Sequence, residues 1–149
     1  MRTIDAVRRS GISLAPDRTI REAAMLMEQA GVGTIAVLDG EELVGLVTDR
    51  DLVRRALAPG LDSAARIDAV MSMPVLTIDA DHDMHDAFAM FRSHGVRRLA
   101  VTREGRFLGV VTVDDLLIDL VGDLGDLVRP LFGETIFGQR DAPVPAQRS

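Results

Sequence analysis

The chain has 149 residues, nearly half of them apolar (47%), enough to bury a core in one compact domain or in two small, closely packed halves. A formal net charge of −6 speaks against sequence-independent nucleic-acid binding, which draws on Lys and Arg to displace counterions, and no apolar run approaches the roughly 18 residues that span a bilayer. The opening MRTIDAVRRSG lacks the apolar centre of a signal peptide, and the absence of cysteine excludes disulfides and thiolate metal sites; both features fit a cytoplasmic protein.

Taken in chain order, Ile12–Leu14 is a short apolar stretch that reads as a strand. Thr19-Ile-Arg-Glu22 has the form of a capping box and opens a helix to about Ala30, with Ile20, Ala23, Ala24 and Met27 at helical spacing. Gly31 ends it as a C-cap. Thr34–Leu38 and Leu43–Val47 flank the polar turn Asp39-Gly40-Glu41-Glu42 and predict a hairpin. A last helix opens at Thr48, with Leu52, Val53, Ala56 and Leu57 as its apolar face.

The same order then begins again. Ile4-Asp5-Ala6-Val7 recurs as Ile67-Asp68-Ala69-Val70 at an offset of 63, and after one inserted residue an offset of 64 holds to the end of the second copy. Gly31-Val32 matches Gly95-Val96, Ala36-Val37 matches Ala100-Val101, Gly45-Leu-Val-Thr48 matches Gly109-Val-Val-Thr112, and Asp51-Leu52 matches Asp115-Leu116. In the second copy Val75–Ile78 is the leading strand. Asp83 caps a helix carrying Met84, Ala87, Phe88 and Phe91, and Gly95 closes it. Arg98–Thr102 and Phe107–Val111 form the hairpin, and Leu116, Leu117, Leu120 and Val121 mark the last helix.

The expected architecture is mixed α/β: two βαββα repeats, 3–58 and 66–121, joined by a linker at 59–65 and followed by a partly helical extension over 122–140 and a disordered tail at 141–149. About 55 residues bury too little surface to stand comfortably alone. Strands that are apolar on both faces need cover on both sides. Two repeats packed sheet to sheet, helices outside and related by a pseudo-two-fold axis, satisfy both needs and leave two equivalent clefts.

At each junction of the second hairpin strand with the last helix stands Thr-x-x-Asp: Thr48 with Asp51, Thr112 with Asp115. Exposed N–H groups at a helix start favour an anion, the Thr hydroxyl adds a donor, and the carboxylate can accept from the two hydroxyls of a ribose. Alternatively, the Thr residues cap their helices and nothing more. Where copy one has Gly33-Thr34, copy two has Arg97-Arg98, and alternation along a strand predicts that one of the two arginines faces a given cleft, where a guanidinium could hold phosphate; the competing reading is that both are solvated or paired with Asp or Glu. Arg50 is a further candidate for copy one, although an exposed helix arginine is the simpler reading. The clefts are therefore expected to be unequal.

The twin Gly-h-h-Thr-x-x-Asp pattern (h apolar), each following a Gly-Val-led hairpin strand, resembles the cystathionine-β-synthase-like (CBS) domain family over about residues 3–121, with His94-Gly-Val-Arg-Arg-Leu-Ala-Val101 close to its usual second-copy segment and Ala100 where Pro is frequent. The resemblance implies a Bateman module. Such a module is a non-catalytic sensor, commonly a homodimer, that takes AMP, ADP, ATP or S-adenosylmethionine as a regulatory ligand and requires no cofactor. The family positions fall on Thr48, Asp51, Thr112 and Asp115. A structural or adaptor dimer with no small ligand is the competing reading.

Other signals are weaker. His82 and His85 lie three apart in Asp81-His-Asp-Met-His-Asp86, a spacing that admits a metal, although a charged, solvated helix start explains it more simply and no metal site is assigned. The serines sit in no nucleophile motif, and there is no Gly-rich phosphate loop. The scattered methionines read as core filling. Beyond the repeat, Leu124, Leu127, Val128, Leu131 and Phe132 keep helical spacing, and Pro130 is expected to bend or end that helix.

Overall fold

The computed structural model describes residues 2–7 and 11–132; the expected tail at 141–149 and the end of the extension lie outside them. Two three-stranded sheets of identical plan make up the molecule. In the first, β1 (Ser13–Leu14) pairs parallel with β2 (Thr34–Asp39), which pairs antiparallel with β3 (Glu42–Thr48). In the second, β4 (Thr77–Asp79), β5 (Arg98–Arg103) and β6 (Arg106–Thr112) repeat the arrangement, with a register irregularity at the equivalent point of each hairpin.

The helices follow the local chemistry. Thr19 and Glu22 form the reciprocal capping box that opens α1 (Ile20–Ala30). In copy two the Asp83 carboxylate accepts the His85 N–H at 2.8 Å at the start of α3 (Met84–His94). Gly31 and Gly95 stop these helices in the left-handed conformation (φ 63° at both), which glycine adopts without a Cβ clash. After β3 the chain makes a short α2 (Asp49–Asp51) and continues as a π-helix, Leu52–Leu57. Its counterpart after β6 is α4 (Val113–Phe132), one 20-residue helix that passes through Gly122 and Gly125 and carries Pro130 near its end.

The core is two clusters, and each is completed by the other repeat. The 3₁₀ turn Thr3–Ala6 leaves its own copy and docks on the second: the Thr3 N–H and hydroxyl both donate to the His82 carbonyl, the Ile4 N–H donates to Ala80, and Ala6 is buried among Ile78, Phe91, Leu99 and Leu116. Reciprocally, the turn Ile67–Ala69 packs in the first repeat, with Ile67 and Val70 buried among Ile20, Ile35 and Val47 and the Ile67 N–H bonded to the Arg18 carbonyl. The segments that follow cross the partner hairpin before joining their own sheets. Gly11 donates to Leu108 of β6, while Ser72 and Leu46 of β3 exchange backbone bonds at 2.8 and 3.1 Å. β3 and β6 adjoin at the centre of the molecule.

Two side-chain expectations are corrected. Of the apolar faces assigned to the last helices, only Ala56 and Leu116 are buried; Leu52 is partly buried, and Val53, Leu57, Leu117, Leu120 and Val121 are exposed. Met27 and Met84 fill core, but Met25 and Met73 are exposed.

Candidate functional site

Each strand-to-helix junction is built by a reciprocal capping box. The Thr48 N–H donates to Asp51 Oδ2 and the Asp51 N–H to Thr48 Oγ1, both at 3.0 Å; Thr112 and Asp115 repeat this at 3.2 and 3.1 Å. Further N–H groups of the turn are also engaged: Asp49 donates to the Gly33 carbonyl, Arg50 to the Asp49 carboxylate, and Val113 to the Arg97 carbonyl. The expectation that free helix N–H groups receive an anion is thereby corrected for copy one, where the N–H groups of residues 48–51 all donate within the protein. What the boxes present outward is different. Each Thr oxygen accepts a bond and keeps its own proton to donate, and each Asp commits one oxygen and keeps the other. Asp51 Oδ1 lies 3.9 Å from Arg55 Nε, a long pair that competes weakly with a ligand hydroxyl.

Two cavities open at these junctions, of about 350 and 300 Å³, at the lower end of the range for small-molecule sites. They are crossed. Thr48 and Asp51 of the first repeat share a cleft with Val75, Leu76, Val96, Arg97 and Arg98 of the second. Thr112 and Asp115 share theirs with Ile12, Val32, Gly33 and Thr34 of the first. A molecule in either cleft touches both repeats. Both arginines therefore line the cleft of copy one's Thr-x-x-Asp, and both line the same one, contrary to the alternation argument. The reason is that β5 begins at Arg98, so Arg97 lies in the loop before the strand, where the two-residue period does not hold. Arg97 makes only a loose, exposed pair with Asp114 at 3.7 Å. Arg50 is exposed and lines neither cavity.

Residues not singled out as site residues complete the walls. Ser72, Pro74 and Val75 line the Asp51 cleft, and Gly11 and Ile12 the Asp115 cleft, where Phe107 also stands. Gly11 with Val75 and Ile12 with Leu76 occupy matching places at the offset of 64, as the paired bonds from Ala36 to Ile12 and from Ala100 to Leu76 show, so the repeat itself carried the signal. A Cβ on Gly11 would run into the Phe107 ring, so only glycine lets the crossing segment lie against that ring. Among the described residues no group of three or more His, Asp or Glu gathers as a metal site; Asp81 is paired with Arg2 and Arg103.

The fold and site define a duplicated α/β module whose two clefts lie between its repeats. Comparison with known proteins identifies the module: the CBS domain model matches residues 4–58 and again 67–122, and the chain belongs to the CBS domain family. It is 34% identical over 107 residues to the CBS domain-containing protein YhcV of Bacillus subtilis, spanning 72% of this chain and 76% of that one. Among solved structures it resembles a CBS domain protein of Pyrobaculum aerophilum complexed with AMP (26% identity, TM-score 0.69, 82% of this chain and 99% of that one). It also resembles Hypoxic Response Protein I with two coordinated zinc ions (28% identity, TM-score 0.68, 79% of this chain and 98% of that one).

Proposed function

We propose that this protein is a regulatory module that binds an adenosine-containing ligand in the clefts between its repeats and performs no catalysis. The observation that carries the reading is the crossed construction, in which a hydroxyl and a half-committed carboxylate from one repeat face an apolar wall from the other. A ribose diol suits the free carboxylate oxygen and a flat apolar base suits the wall. The AMP complex of the Pyrobaculum relative supports the ligand class. Because the ligand touches both repeats, binding favours one relative setting of the two, and a change in that setting is what a partner reads.

Thermal unfolding with AMP, ADP, ATP and S-adenosylmethionine tests the proposal. At a concentration about 100 times Kd, a ligand specific for the folded state adds about 2.7 kcal/mol, a rise of several degrees in Tm at this size. No shift with any of the four would contradict it.

A second reading, a dimerisation or adaptor module, is favoured by one feature of α4. Leu117, Leu120, Leu124 and Leu127 are exposed and follow alternating steps of three and four, the spacing of a coiled-coil seam. A homodimer sealed along this seam is compatible with ligand binding and is proposed alongside it.

A further inference from the structure

The two clefts have the same plan and opposite charge. Around Thr48 and Asp51 stand Arg97 and Arg98 on the rim, and Arg55, which follows Asp51 by four residues and donates to the carbonyls of Val70 and Met71 beside the cleft wall. At the equivalent places around Thr112 and Asp115 the chain has Gly33, Thr34 and Asp119. The space that a side chain at Gly33 would enter is filled by the Asp49 carboxylate, whose Oδ2 lies 3.1 Å from the ideal Cβ position. Thus a guanidinium stands at the mouth of one cleft where a carboxylate stands at the mouth of the other. Asp49 itself has an uncharged counterpart, Val113. The helix N–H groups of copy one are already engaged, so the arginines are the groups in the Asp51 cleft able to hold a phosphate strongly. In the Asp115 cleft a 5′-phosphate would find no guanidinium among the lining residues and would approach the Asp49 carboxylate beside Gly33, a like-charge contact that opposes binding.

Building on the proposed adenosine-binding function, we infer that the clefts select opposite ligands: the Asp51 cleft takes a 5′-phosphorylated adenosine, and the Asp115 cleft takes an adenosine whose 5′ substituent is neutral or cationic. The protein thereby compares two adenosine compounds of different charge. Phe107 is the aromatic side chain lining the Asp115 cleft, and it offers that ligand a stacking face that the Asp51 cleft lacks among its lining residues.

Calorimetric titration of the full chain with AMP, adenosine and 5′-amino-5′-deoxyadenosine tests this. AMP binding is expected to vanish in Asp51→Ala and survive in Asp115→Ala, with the reverse for the amino nucleoside. The double variant Arg97→Gly/Arg98→Thr, which copies the first repeat's residues onto exposed positions of the second, should weaken AMP by about tenfold or more, the loss of one charge-assisted bond. It should leave the amino nucleoside unchanged. Asp49→Asn should let AMP into the Asp115 cleft as a second site. Binding of AMP that ignores the double arginine variant, or mutual competition of AMP and the amino nucleoside for one cleft, overturns the inference while leaving adenosine binding intact. Failure of all three compounds to bind overturns adenosine binding and the inference with it.

Discussion

At the residue scale, Thr48, Asp51, Thr112 and Asp115 serve structure and site together, and the two roles separate experimentally. Each Thr accepts the bond that caps its helix, so Thr48→Ala or Thr112→Ala should cost about 1 kcal/mol in urea denaturation whether or not ligand is present. The ligand-dependent part of the loss appears only as a smaller Tm shift on adding nucleotide. Gly11 tests the other wall. Gly11→Ala drives a methyl into the Phe107 ring, which should destabilise by about 1–3 kcal/mol and impair the Asp115 cleft while sparing the Asp51 cleft. Asp83, held below the ordinary carboxylate pKa first of all by the His85 N–H it accepts, favours the folded state while ionised; that contribution fades as pH falls through its lowered folded-state pKa.

At the scale of elements, the caps, hairpins and helix stops were legible because each is local. Thr19 with Glu22, Asp83, and Gly31 with Gly95 act on backbone groups within a turn of themselves, and the structure keeps all of them. The exchange of the leading turns was not legible. Ile4-Asp5-Ala6-Val7 and Ile67-Asp68-Ala69-Val70 are the same four residues, so periodicity carries no information about which core each enters, and the structure buries Thr3 and Ala6 in one and Ile67 and Val70 in the other. The exchange makes a specific prediction. Ile67→Ala, at a fully buried side chain in the cluster of Ile20 and Ile35, should cost about 2–5 kcal/mol. In hydrogen exchange the loss of protection should appear first in α1 and β2 of the first repeat rather than in the second repeat that contains Ile67 in sequence.

At the scale of the whole molecule, the crossed clefts and the exchanged turns are one arrangement: the repeats are closed on each other, and anything bound between them reports on their packing. The exposed leucines of α4 are the face on which the proposed homodimer rests. For the homodimer proposed above, Leu124→Glu with Leu127→Glu should leave only monomer in sedimentation analysis without altering the Tm of the monomeric fold, since both side chains are exposed. The twin Thr-x-x-Asp pattern was readable from sequence. The opposite charge of the two clefts was not, because it depends on which repeat's Arg97 and Asp49 reach which cleft. The most direct test is a crystal structure of the full chain grown with saturating AMP. Nucleotide density is predicted in the Asp51 cleft, with ribose hydroxyls on the Asp51 carboxylate and phosphate at Arg97 or Arg98. Clean, empty clefts at saturating AMP, or nucleotide lying elsewhere on the surface, would contradict it.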